Sequence, residues 1–199
     1  MKNKILLRLR IFFMFVFLCA MFFASAQTDT IKIDLGPAGS IQESVSPWNN
    51  LTIDAATSAV SDISDCLNSQ GNLTGISVTM TDPFWSVNYN GSTSPQDSLY
   101  LVSTATMDNL YCDDNSGPAK LTISGLDPTK VYNFGFFACR DGVSDNREAK
   151  YVVTGSDNGT ASLNSSNNSS DMAHVNGITP YSDGTVTIDI SNFELFTIS

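Results

Sequence analysis

The sequence predicts an all-β protein, a two-sheet antiparallel β-sandwich with one short helix. Three observations lead to this prediction. Most apolar segments are short and rich in Val, Ile, Thr and aromatic residues, and they are bounded by Gly, Pro, Asn or Asp. Turn signals recur about every 8 to 12 residues. This spacing is typical of strands joined by turns, and it disfavours a parallel α/β sheet.

Several segments carry the strand pattern most clearly, either as alternation of apolar and polar residues or as runs of β-branched and aromatic residues. They are Ile31 to Leu35 (IKIDL), Gly75 to Met80, Leu121 to Ile123, Val131 to Ala138, Lys150 to Thr154 and Thr185 to Ile190. The residues from Val131 to Ala138 place an apolar face opposite a mixed face, which is typical of a central strand covered partly by loops.

The one predicted helix runs from Ala55 to Leu67. Apolar residues recur there at spacings of three and four, with Asp and Ser on the other side. The polar segment from Asn164 to Asp171 lies between recognisable strands. It is therefore predicted to be a loop or an exposed edge.

The first 26 residues have the pattern of a signal peptide. Four cations precede an apolar run, and Ala24 to Ala26 supplies the small residues that a signal peptidase requires. We therefore expect cleavage before Gln27 and a secreted or cell-surface protein, with residues 27–199 forming a single domain. The apolar run is shorter than a membrane span, so no membrane insertion of the mature form is expected.

Removal of the leader would leave six Lys and Arg against twenty Asp and Glu, a formal net charge of −14. A surface this acidic repels phosphate backbones and anionic lipids, so nucleic acid is not an expected partner. Three cysteines would remain, Cys66, Cys112 and Cys139. At most one disulfide can join them, and buried free thiols are the commoner outcome for scattered cysteines.

Half of the remaining cations lie between Phe136 and Gly155, at Arg140, Arg147 and Lys150. This stretch has the pattern of a strand, a short polar turn and a second strand, which predicts a hairpin with cations at its tip.

Five motifs, taken together in this order, resemble a known module. They are DLGPAGS (34–40), PWNNLT (47–52), TGISVTMTDPFWSVNYNGS (74–92), AKLTISGLDPTKVYNFGFFACR (119–140) and SDNREAKYVVTG (144–155). The set resembles a β-sandwich module of secreted Bacteroidetes proteins, similar in outline to galactose-binding-like and malectin-like domains. This resemblance implies a jelly-roll fold. Because the module occurs near esterase or glycoside-degrading domains, the resemblance also implies carbohydrate binding.

The chain departs from that pattern near its C-terminus. Relatives of this type usually continue into a final aromatic strand resembling FYYLGAL, whereas residues 192–199 read NFELFTIS after Ser191. We expect the final strand to be lost or replaced, which would leave an exposed sheet edge.

The first candidate ligand-binding group is Phe84, Trp85 and Asn88. Aromatic rings beside amides suit stacking on a pyranose face, because a flat ring supplies contact area at low entropic cost. The alternative is that Phe84 and Trp85 are core residues that close one end of the sandwich.

The second candidate group lies at the predicted hairpin tip and comprises Arg140, Asp145, Asn146, Arg147 and Glu148. Sugar hydroxyls both donate and accept hydrogen bonds, and guanidinium and carboxylate groups together supply both functions. The alternative is that these charges pair with one another and only fix the turn.

Metal and catalytic signals are weak. The segment from Asp113 to Gly117 has the oxygen density of a calcium loop, but Ser124 stands where an EF-hand requires an acid. We predict no cofactor and leave a structural calcium open. The single histidine, His174, has no nucleophile elbow nearby and is predicted to be an ordinary strand residue.

These observations together predict an exported, non-catalytic carbohydrate-binding protein whose partner is a polysaccharide or another glycan. One alternative is a structural or adhesive surface module that assembles with another protein. A further alternative is an accessory carbohydrate esterase or glycosidase, since twenty carboxylates always provide some acidic pair. The sequence leaves the glycan and the oligomeric state open.

Overall fold

A computed structural model describes residues 29–39, 43–54, 57–113 and 117–192. The described residues from Ile31 onward belong to one compact unit. Strands predominate and pair mostly antiparallel, which confirms the predicted all-β class. The predicted leader and the predicted change after Asn192 lie outside the described residues. Across the part that is described, no helix is long and apolar enough to cross a membrane.

The described strands are short. They are β1 (Ile33–Pro37), β2 (Asn49–Ile53), β3 (Ser77–Asp82), β4 (Ser86–Asn88), β5 (Asn109–Tyr111), β6 (Ala119–Ser124), β7 (Tyr132–Phe136), β8 (Glu148–Thr154), β9 (Asn158–Asn164), β10 (Ala173–Ile178) and β11 (Val186–Asn192). Two single 3₁₀ turns, Asp97–Leu99 and Ser103–Ala105, complete the described regular structure.

Five strands form the main antiparallel sheet, in the order β3, β6, β11, β8, β9. Strand β11 lies at its centre, where Ile188 pairs with Leu121 on one side and Val153 on the other. Alternate residues of β11 are buried, which gives the sheet one apolar inner face.

Strands β7 and β10 form a separate antiparallel pair. The Phe136 ring of β7 stacks on the Tyr151 ring of β8, with centroids 4.3 Å apart and planes inclined by 10°. This contact packs the β7–β10 pair against the main sheet and contributes to the shared core.

The prediction of a hairpin between Phe136 and Gly155 is wrong. Strand β7 pairs with β10, whereas β8 pairs with β9 and β11 in the other sheet. The connection from 137 to 147 is too long for a tight hairpin turn, and it carries the chain from one layer to the other.

The predicted helix from Ala55 to Leu67 is also wrong in its described part, residues 57–67. This segment is irregular and extended, and its backbone bridges to neighbouring segments at Val60, Ile63 and Leu67. Ile63 and Val78 exchange two backbone hydrogen bonds, of 3.0 and 2.8 Å. Asp, Ser and β-branched residues have low helix propensity, so tertiary pairing overrides the weak periodicity.

Two further strand pairs lie outside the main sheet. Strands β1 and β2 pair in parallel, and β4 and β5 pair antiparallel.

The three described cysteines are buried free thiols, as expected for scattered cysteines. Burial raises the pKa of Cys66 to about 11 and that of Cys139 to about 12, which keeps both thiols protonated at neutral pH.

Candidate functional site

The two predicted candidate regions meet in the structure. Asn88 ends β4, and the Arg140 guanidinium donates a hydrogen bond from Nη1 to Asn88 Oδ1. Beside this contact, the Asp141 backbone N–H donates to the Asn90 carbonyl at 2.8 Å. The loop after β7 is therefore attached to the end of β4, although the two lie far apart in sequence.

Asn109 of β5 completes this attachment. Asn88 and Asn109 are opposite each other in the β4–β5 ladder, and Asn88 Nδ2 donates to Asn109 Oδ1 at 3.3 Å. Asn109 Nδ2 in turn donates to the Cys139 carbonyl. We refer to Asn88, Asn109 and Arg140 as the amide–arginine junction. Asn109 was not among the predicted site residues; its position in the short alternating run from Asn109 to Tyr111 is the one signal in the sequence that could have indicated it.

Three exposed aromatic residues lie in strands β4 and β5 or directly next to them in the chain. Trp85, Tyr89 and Tyr111 are 59%, 54% and 41% exposed. The Trp85 backbone N–H donates to the Tyr111 carbonyl at 2.9 Å, so Trp85 adjoins the β4–β5 pair that contains Tyr111, and Tyr89 directly follows Asn88. Phe84 is only 7% exposed and lies in the core, as its alternative interpretation holds.

The remaining candidates at the predicted tip have polar partners of their own. Arg147 Nε lies 2.8 Å from Asp145 Oδ2. Glu148 accepts hydrogen bonds from Ser162 Oγ at 2.7 Å and from Asn146 Nδ2 at 3.5 Å. This arrangement agrees with the alternative in which these charges fix the chain, so they have less capacity for a ligand than Arg140.

An asparagine-rich loop forms hydrogen bonds with the backbone of the segment that carries Arg140. Asn168 Nδ2 donates to the Ala138 carbonyl at 3.0 Å, and Asn167 Oδ1 accepts from the Gly142 N–H at 2.9 Å. Asn164 Oδ1 accepts from the Arg147 N–H at 3.0 Å. The polar segment from Asn164 to Asp171 thus begins at the end of β9 and continues as a loop, as predicted. Its amides fix the backbone that presents Arg140.

A second polar group lies where β1 approaches β5. Asp34 and Asp108 are 3% and 4% exposed, and Oδ1 of each is buried without a hydrogen-bond partner. Asp34 Oδ2 accepts a hydrogen bond from the Ser44 backbone N–H at 3.1 Å. We refer to Asp34 and Asp108 as the acid pair. Sequence reasoning missed it, because Asp34 stands at a polar position of an alternating strand pattern.

The carboxyl groups of the acid pair have raised pKa values. Burial, followed by the charges of Asp34 and Glu43, raises the pKa of Asp108 to about 7. Burial also raises the pKa of Asp34, although the hydrogen bonds from Ser44 oppose this effect. Both shifts favour the protonated, uncharged form of these two carboxyl groups.

The described residues contain no group of three or more His, Cys, Asp or Glu side chains that could hold a metal ion. The segment from Asp113 to Gly117, considered above as a calcium loop, includes residues 114–116, which lie outside the described residues. His174 is an exposed residue of β10 opposite Gly135, as expected for an ordinary strand position.

No protein-family model, no curated protein and no solved structure matches this chain. The resemblance to galactose-binding-like modules therefore stays a prediction.

Proposed function

We propose that this protein is an exported, non-catalytic carbohydrate-binding module that binds its glycan at the amide–arginine junction. The observation that carries the proposal is the hydrogen bond between Asn88 and Arg140 at the end of β4, a strand whose two chain neighbours, Trp85 and Tyr89, are exposed. These residues come from separate regions of the sequence, and both regions were candidates on chemical grounds.

The chemistry of the junction suits a neutral, hydroxylated ligand. A guanidinium group carries five N–H donors, and the bond to Asn88 uses one of its nitrogens. The half-buried position of Arg140 keeps the remaining donors in a defined orientation. The exposed rings of Trp85 and Tyr89 offer flat apolar faces for sugar C–H groups.

The fold that we propose is a jelly-roll sandwich of the galactose-binding-like kind. Support comes from the five-stranded antiparallel sheet and from the β7–β10 pair that packs on it through Phe136 and Tyr151. In such sandwiches, loops at the ends of the strands carry the binding residues. The loop after β7 and the end of β4 have this position.

A hydrolase is less well supported by the same residues. The acid pair is the one carboxylate pair with a clearly raised pKa among the described residues, but both members are buried away from solvent. A carboxyl group acting on a glycosidic bond must reach the substrate. This geometry favours binding over catalysis.

A glycan-binding screen followed by affinity measurements on variants tests the proposal. We expect the purified protein to bind at least one plant, algal or host polysaccharide in a glycan array or affinity gel. Replacing Trp85 with Ala should weaken that binding about tenfold, because a stacked ring contributes roughly 0.5 to 1.5 kcal/mol beyond the apolar area that it buries. Arg140→Lys should weaken it as well, since lysine lacks the planar fork.

Tyr181→Ala is the matched control. Tyr181 is also an exposed aromatic residue, but it lies in the turn before β11, where its backbone pairs with Thr185 and Gly184. Its removal should leave affinity unchanged. Binding that survives both the Trp85 and the Arg140 substitution would move the site elsewhere, and a folded protein that binds no glycan would refute the proposal.

A further inference from the structure

Two buried carboxyl groups with unpartnered oxygen atoms require compensation. An ionised carboxylate without a partner is costly in a protein interior, and two together repel each other. Among the described residues, neither Asp34 nor Asp108 forms an ion pair. The donors to Asp34 are neutral and come from Ser44, whose backbone N–H is shared between Asp34 Oδ2 and Asn50 Oδ1.

The two groups lie over the same face of β1. Side chains alternate along a strand, so Asp34 and Gly36 point to one side. A Cβ atom built on Gly36 would lie only 2.7 Å from Asp108 Oδ1. The carboxyl group of Asp108 therefore occupies the space that a side chain at position 36 would take, next to Asp34.

Few other charged groups face this pair. Strand β2, strand β4 and the turn Ser103–Ala105 contain no ionisable side chain, and β5 contributes only the exposed Tyr111. The other acid that interacts electrostatically with Asp108 is Glu43, and its negative charge adds to the repulsion from Asp34. The nearest cation along the chain, Lys32, donates instead to the Tyr100 carbonyl at 3.1 Å.

The oxygen supply favours a proton over a metal ion as the compensating charge. Calcium takes six to eight oxygen ligands and magnesium requires an octahedron. The described residues place no third acidic or histidine side chain in a metal-binding group with the pair. Asp108 Oδ1 is also packed directly against the Gly36 backbone, which leaves little space for a hydrated ion.

We propose that Asp34 and Asp108 hold one proton between them in the folded protein, so that loss of this proton weakens the attachment of β1 to β5. The acid pair is then a pH-sensitive contact within the fold. The proposal concerns the folded state alone and does not depend on the proposed binding of a glycan.

The direction of the pH effect follows from linkage. In the unfolded chain an aspartic acid loses its proton near pH 4, whereas in the folded protein Asp108 keeps it to about pH 7. The folded state therefore binds more protons between these values, and stability falls as pH rises through this window. The folding equilibrium constant should decrease by up to about tenfold per pH unit and level off above about pH 7.

Carbon-13 NMR of the aspartate carboxyl groups, recorded on the purified protein from pH 4 to 9, tests the proposal directly. We expect one carboxyl resonance, lost in Asp108→Asn, to titrate with a midpoint near 7. Asp183 is an internal reference, because hydrogen bonds from Thr185 lower its pKa. Midpoints below about pH 5 for both members of the pair would overturn the proposal.

Unfolding measurements supply a second readout. Asp108→Asn imitates the protonated acid, so the variant should lose the part of the pH dependence that the wild-type protein shows between about pH 4 and 7. Asp183→Asn should lose none of that part. A calcium-dependent rise of Tm at pH 6, reversed by EDTA and absent in Asp108→Asn, would show that a cation is the compensating charge and would overturn the proposal. Should Asp108→Asn fail to fold, the wild-type titration still decides.

Discussion

The amide–arginine junction is partly buried and the acid pair is fully buried, and the two groups differ in hydrogen bonding. At the junction, each amide and the guanidinium have partners, and the result is a fixed loop. In the acid pair, one oxygen of each carboxyl group has none. Polar groups with hydrogen-bond partners hold a defined geometry, whereas buried carboxyl groups without partners make the stability of the fold depend on pH. The first suits recognition and the second suits response to pH.

The largest effect should come from crowding the acid pair. Gly36→Ala places a Cβ atom 2.7 Å from Asp108 Oδ1, so a buried carboxyl group must move. We expect a loss of about 3 kcal/mol in the free energy of unfolding, measured by urea denaturation. In an Asp108→Ala background the same change should cost less, because the crowded atom is absent.

Gly117→Ala is the control for this substitution, since a Cβ atom at position 117 would have no other atom within 4 Å. Its cost should be close to zero. Equal costs for Gly36→Ala in the two backgrounds would show that Asp108 is not what fills the space beside Gly36.

A smaller effect should follow from opening the junction. Asn109→Ala removes the acceptor for Asn88 and leaves the Cys139 carbonyl unpaired. We expect a cost of about 2 kcal/mol by the same measurement, together with weaker glycan binding, because the loop that carries Arg140 loses its anchor. Asn133→Ala removes an exposed bond to the Gly177 N–H and should cost clearly less. A junction variant as stable as this control would show that the junction does not fix the loop.

The smallest effect is expected for Arg147→Ala. The side chains of Arg147 and Asp145 are 50% and 58% exposed, so solvent screens their ion pair. The change in unfolding free energy should stay below about 1 kcal/mol and shrink further in high salt. A larger, salt-independent loss would mean that Arg147 has a structural role comparable to that of Arg140.

Local sequence patterns identified the strands but not how they pair. Six segments with strand patterns are strands in the structure, since alternation and β-branched residues act within a few positions. The error at Phe136 to Gly155 arose because two adjacent strands need not pair with each other. The periodicity from Ala55 to Leu67 was overridden by bridges to distant segments, such as the one between Ile63 and Val78.

The candidate site, like the fold, could be predicted from the sequence only in part. Asn88 and Arg140 could be selected from residue chemistry, but their contact depends on the path of the chain after β7. Asp34 follows the alternation of IKIDL and was not expected to be buried. The approach of Asp108, far along the chain, covers that side of the strand, and no local pattern contains this information.

The position of β11 bears on how the protein folds. The pairs β3–β6 and β8–β9 can form from earlier parts of the chain, but each then presents an open edge that only Val186–Asn192 fills. Closing the main sheet therefore requires contacts between residues far apart in sequence, and such topologies fold slowly. Until that step, two strand edges stay available for wrong partners, and aggregation competes with folding during this interval.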